Sequence, residues 1–84
     1  MLIKLHEIAG RAWFNIDHRS SLTDGIKFAL ENLPVNYNGT KKECIQYLTD
    51  KIQIATVNAT IKYNDTQLYL GCIALYNAMI KELL

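Results

Sequence analysis

Apolar residues recur at helical spacing in four stretches of this chain. Leu2, Leu5, Ala9, Ala12, Trp13 and Ile16 return every three or four positions, with Lys4, Glu7 and Arg11 between them. That period predicts an amphipathic helix over 2–16. Gly10 inside it costs about 1 kcal/mol against alanine and offers room for a close helix crossing. Residues 17–20 read as a connection. Ser21 and Asp24 then resemble a capping arrangement. Leu22, Ile26, Ala29, Leu30 and Leu33 form the buried stripe of a second helix. Pro34 ends it, because a proline biases the residue before it away from helix. Residues 35–39 form a loop closed by the turn signal Asn38-Gly39.

Thr40-Lys41-Lys42-Glu43 has the spacing of a capping box. The threonine oxygen can accept from the N–H three residues on, while the glutamate reaches back to the threonine N–H. A third helix should run from here to about residue 62. Cys44, Leu48, Ile52, Ala55 and Ala59 share one face of it. Tyr47, Ile54, Val57 and Ile61 share another, so this helix asks for two packing partners. Residues 52–63 are rich in β-branched side chains and could also alternate as a strand. The strong upstream cap and the want of a convincing strand to pair with favour helix. Asn64 and Gln67 are spaced as a second capping box, opening a fourth helix.

That fourth helix is apolar on nearly every side. Leu68, Tyr69, Leu70, Cys72, Ile73, Ala74, Leu75, Tyr76, Ala78, Met79, Ile80, Leu83 and Leu84 cannot all face one neighbour. A helix apolar all round is buried all round, and a domain of 84 residues has little interior to offer. Either the helix is the central post of the fold, or another copy of the chain covers part of it. The expectation is therefore an all-α single domain over 1–84. It has four helices with short connections, a long antiparallel hairpin of helices three and four at its centre, and a tendency to form homo-oligomers.

Composition narrows the function classes. The net charge is +1, so no broad basic face awaits duplex nucleic acid. The N-terminus lacks the basic start and apolar run of a signal peptide. The last segment is too short and too interrupted by Asn77, Lys81 and Glu82 to span a bilayer. Cys44 and Cys72 read as reduced core residues of a cytoplasmic protein, with a bridge between them as the lesser alternative. The Asn-x-Thr triplets at Asn38, Asn58 and Asn64 then carry no glycosylation meaning.

No catalytic pattern competes with this reading. His6 and His18 are the only histidines, and neither has the spaced partners a metal site needs. Cys44 falls in the first turn of helix three, where the dipole could lower its pKa. It also falls on the buried stripe, which favours packing. The expectation is a protein without catalytic residues, metal or cofactor.

Polar chemistry gathers at the end of helix one. Arg11, Asn15, His18 and Arg19 lie close together beside Trp13 and Phe14. Arg11, Asn15 and His18 would share a face if the helix ran that far. Arginines next to the N–H groups opening a second helix can hold an anion. Phe14 falls off the buried stripe and is free to stack. The plainer alternative is a solvated helix end. Tyr37 is the other candidate ligand contact, one of five tyrosines in a short chain, with Lys41 and Lys42 nearby. Tyrosines at the edge of the core are the plainer account of those.

Residues 34–64 resemble the phage anti-CBASS sponges, small helical proteins that sequester the cyclic oligonucleotide messengers of bacterial defence. The likeness rests on Pro34 in a turn, Thr40 at a helix start, and Val57-Asn58-Ala59-Thr60-Ile61 late in that helix. It implies a non-enzymatic protein of the host-cell cytoplasm that assembles into a symmetric homo-oligomer. It also implies that cyclic nucleotides bind between protomers, with arginines, lysines and tyrosines on phosphates and bases. A second possibility, independent of the resemblance, is a small helical inhibitor or immunity-type protein whose apolar surplus docks on a host or toxin protein. A third, a nucleic-acid-binding helical domain, lacks its basic face.

Overall fold

A computed structural model describes residues 1–16 and 20–84. In chain order it contains β1 (Leu2–Lys4), α1 (Leu5–Ala12), a 3-10 turn (Trp13–Asn15), α2 (Ser20–Asn32), β2 (Asn36–Asn38), α3 (Lys41–Ile61), a second 3-10 turn (Tyr63–Asp65) and α4 (Thr66–Leu83). The molecule is mostly helical, with four α-helices as the spacing predicts. A two-stranded ribbon is added to them.

α4 is the central post. It packs against α1, α2 and α3, and Leu75 and Met79 are wholly enclosed. Around them lie Leu5, Ile26, Cys44 and Leu48, also wholly enclosed, so every helix contributes to one core. α3 and α4 are the longest helices and run antiparallel. Lys51, Ala55 and Asn58 of α3 share the walls of one hollow with Tyr69, Cys72 and Tyr76 of α4. The remaining open side of α4 is a strip through Gln67, Leu70, Asn77 and Lys81. The apolar excess of this helix is therefore largely enclosed by its own chain.

α3 forms as its cap predicts. Glu43 N–H donates to the Thr40 hydroxyl at 3.1 Å, and Thr40 N–H donates to Glu43 Oε1 at 2.9 Å. The β-branched run from Ile52 to Ile61 is helix, not strand. The threonines of α3 settle into the helix by donating to carbonyls one turn back: Thr49 to Ile45, Thr56 to Ile52 and Thr60 to Thr56. Such bonds satisfy hydroxyls that otherwise compete with the backbone.

Four expectations are corrected. The first helix does not run over 2–16. Leu2, Ile3 and Lys4 pair antiparallel with Asn38, Tyr37 and Asn36, so the expected loop at 35–39 contains a strand. Gly39 N–H extends the pairing to the Met1 carbonyl at 2.8 Å. α1 then starts at Leu5, and the segment before β2 meets one of its free N-terminal donors and a side chain of its first turn. His6 N–H reaches the Val35 carbonyl at 3.4 Å, and His6 Nε2 lies 2.8 Å from the Leu33 carbonyl. Second, Gly10 mediates no crossing; a Cβ there would meet nothing within 4 Å. The close crossing lies between α2 and α4, where Gly25 and Gly71 face each other. A Cβ on Gly71 would sit 2.5 Å from the Leu22 carbonyl oxygen and 2.7 Å from the Gly25 Cα. Third, Asn64 does not cap α4. The capping position is Asp65, which makes no side-chain cap bond, and Thr66 Oγ1 donates to the Ala59 carbonyl at 3.2 Å instead. Fourth, Ser21 is inside α2, which begins at Ser20.

Candidate binding site

Arg11 and Asn15 do come together, though not on one continuous helix. α1 stops at Ala12, and a single 3-10 turn carries the chain to Asn15 before Ile16 becomes extended. Both side chains converge on Glu82 near the end of α4. Asn15 Nδ2 donates to Glu82 Oε1 at 3.1 Å, and Arg11 Nε lies 3.9 Å from Glu82 Oε2. A second, exposed pairing links Arg11 to Glu7 at 3.6 Å. The expected anion site thus already contains an anion of its own. His18 and Arg19 lie outside the described residues.

Beside this triad is a groove of about 610 Å³ lined by Asn15, Ile16, Ala74, Asn77, Lys81 and Glu82. It offers two amides, an ammonium and a carboxylate over an apolar floor. Amides of this kind read donor and acceptor edges, which a nucleobase supplies. Phe14 is 85% exposed on the turn that also carries Asn15. An aromatic ring so placed has a free face for stacking.

Tyr37 stands apart from that groove. Its ring lies 5.2 Å from the Tyr47 ring at a tilt of 37°. The two tyrosines, with Glu43, Gln46 and Asp50, line a hollow of about 300 Å³ between β2 and α3. Gly39 makes room for this, because a Cβ there would approach Tyr37 Cε2 to 2.7 Å. The expected neighbours of Tyr37 were lysines; its walls carry carboxylates. Glu43 is held below the usual carboxylate range by the Thr40 N–H and then by the Thr40 hydroxyl. Lys51 Nζ sits 5.5 Å from the centre of the Tyr47 ring.

The second face of α3 is the feature with the plainest consequence. Cys44, Leu48 and Ala55, on the first face, are buried. Ile54, Val57 and Ile61, on the second, are 58%, 55% and 66% exposed. The pattern of two apolar faces was legible in the sequence; that one of them stays uncovered was not. A shallow hollow of about 340 Å³ opens between Gln53, Ile54, Val57 and Asn58 along it.

Both cysteines are free and buried. Burial pushes the Cys44 thiol up. Cys72 is raised by burial as well, and its Sγ lies 3.4 Å from the Gly25 carbonyl at the glycine crossing. Among the described residues no three of His, Cys, Asp and Glu gather as a metal site. Among them, too, no helix is long and apolar enough to cross a membrane. Compared with known proteins, the chain matches no family model, no curated protein and no solved structure.

Proposed function

We propose that this chain is a non-enzymatic binding protein that works as a homo-oligomer and sequesters a cyclic di- or oligonucleotide. The observation that carries the proposal is the uncovered apolar stripe of Ile54, Val57 and Ile61 along one face of a single helix. Leaving large aliphatic side chains in water forgoes roughly 1.5–3 kcal/mol each, and a partner surface recovers part of it. The groove beside Asn15 supports a nucleotide ligand. Asn15 and Asn77 would meet base edges, Lys81 and Arg11 would meet phosphate, and Phe14 would stack. The likeness of residues 34–64 to the anti-CBASS sponges points the same way and supports a role in the cytoplasm of a phage-infected host.

Glu82 supplies the test, because it competes with phosphate for Arg11 and Asn15. Cyclic dinucleotides raise the melting temperature of the wild type by mass action, and more strongly that of Glu82→Gln, in which Arg11 keeps only its exposed pairing with Glu7. No shift for either protein at millimolar ligand, across several cyclic nucleotides, rejects the ligand.

A second reading is favoured by the hollow at Tyr37. Toward the start of the same helix, Tyr47, Glu43 and Asp50 line that hollow. Rings and carboxylates together suit a basic side chain. An inhibitor or immunity-type protein would use that whole face on a host or toxin protein. It would remain a monomer in isolation and capture one macromolecule.

A further inference from the structure

We propose that the hollow where α2, α3 and α4 meet is a second binding site, one that takes a small planar aromatic acid such as an aryl or indolyl carboxylate. It shares no lining residue with the groove at Asn15 and stands independently of the nucleotide reading.

The walls set the shape of the ligand. Phe28 of α2 and Tyr69 and Tyr76 of α4 line the hollow, with the buried Ala55 and Cys72 behind. Aromatic residues from two helices suit a flat ring, held by offset or edge-to-face contact. Phe28 is 41% exposed and Ile54, at the same hollow, 58%. That apolar surface stays in water until a ligand covers it. The space is about 270 Å³. An engineered cavity of about 150 Å³ holds benzene, and sites for drug-sized ligands run to roughly 300–1,000 Å³. One or two fused rings with a small substituent fall between those limits.

The polar groups set its charge. Among the described residues, Lys51 is the one charged side chain lining the hollow. Its ammonium lies 5.5 Å from the centre of the Tyr47 ring and pairs with no carboxylate among those residues. Lys62 Nζ, 6.0 Å from the centre of the Tyr69 ring, adds positive charge nearby. An anion on the ligand is therefore met, and a cation repelled.

Tyr76 supplies a donor. The residue is only 8% exposed. Its hydroxyl nevertheless has no hydrogen-bond partner among the described residues, and it is not sealed from solvent. Buried polar groups are as a rule paired, so an unpaired hydroxyl at an open hollow is a place for a ligand acceptor. Burial, then Cys72 and Tyr47, push this phenol up to about 12, so it keeps its proton and donates at neutral pH. Asn32 gives one N–H to the Phe28 carbonyl at 2.8 Å. Its amide oxygen remains for an N–H or hydroxyl on the ligand ring.

Titration of indoleacetate and of para-hydroxybenzoate into isotope-labelled protein, followed by NMR, tests the site. Both acids should shift the backbone amides of Phe28, Lys51, Tyr69, Cys72 and Tyr76 at millimolar concentration. Neutral indole, and acetate without a ring, should each bind about tenfold more weakly, as loss of one charge-assisted contact or of the ring contacts implies. Lys51→Met keeps an apolar stem and removes the charge. It should weaken both acids about tenfold and leave indole unchanged. Tyr76→Phe keeps the ring, and should weaken the acids by about threefold through the lost hydroxyl. Circular dichroism of the two variants should match the wild type at neutral pH. Saturating acid that shifts none of these amides overturns the site. Shifts centred on Asn15, Asn77 and Lys81 overturn its location. Indole that binds as tightly as indoleacetate, or a folded Lys51→Met that binds the acids as the wild type does, overturns the preference for an anion.

Discussion

Adding one methyl group should have opposite effects at two glycines. At Gly71 the new Cβ would lie 2.5 Å from the Leu22 carbonyl oxygen and 2.7 Å from the Gly25 Cα. Both obstacles are backbone, so no side chain can swing away. α2 and α4 must separate along a crossing that also carries the Cys72 contact to the Gly25 carbonyl. Overpacking of this kind costs about 1–3 kcal/mol or more, against a helix-propensity gain of about 1 kcal/mol. Because the opposing atoms are rigid, the upper end applies, for a net loss of about 2 kcal/mol. At roughly 4–8 °C per kcal/mol for a domain of this size, Gly71→Ala should melt about 8–16 °C lower. At Gly10 the same change meets open space and should raise the melting temperature by about 4–8 °C through propensity alone. Thermal unfolding by circular dichroism reads both. A Gly71→Ala variant as stable as Gly10→Ala would refute the close crossing, and with it the packing of α2 on the central helix.

Three further outcomes follow from the same structure. Thr40→Ala removes the side-chain acceptor at the start of α3 and should cost about 1 kcal/mol in urea unfolding, while Thr40→Ser should cost much less; equal losses would mean that the cap contributes nothing. Tyr76 is pushed up to about 12, chiefly by burial and then by Cys72 and Tyr47, so the folded chain keeps a phenol proton that the unfolded chain releases near pH 10. Stability should therefore fall by about 3 kcal/mol as pH rises from 10 to 12, and Tyr76→Phe should flatten that decline; an unchanged alkaline profile would contradict the burial. Cys44 and Cys72 should resist alkylation at pH 8 in the folded protein and react promptly in denaturant, and rapid modification of either in native buffer would place it outside the core.

Much of this fold is legible because its signals are local. The Thr40–Glu43 box lies within four residues, and the structure forms it as read. The apolar circumference of α4 leaves two choices, a central post or a helix partly covered by another copy, and the structure makes it the post. What escapes is pairing at long range. β1 and β2 are three residues each, too short for alternation to show, and Leu2 meets Asn38 only after α1 and α2 have been placed. Gly25 and Gly71 look like isolated penalties in two helices until they are seen face to face. The site divides in the same way. Residue type nominated Arg11, Asn15 and Tyr37, but the Glu82 that engages the first two lies at the far end of the chain. The carboxylates around Tyr37 come from a helix face that its nearest basic neighbours do not share.

The account depends on the exposed stripe of α3 being an interface. Sedimentation equilibrium of the unmodified chain, from micromolar to millimolar concentration, tests that most directly. The mean mass should climb with concentration from one chain to a small multiple of it and level off there, as a closed oligomer requires. A mass that holds at a single chain across the whole range would contradict it.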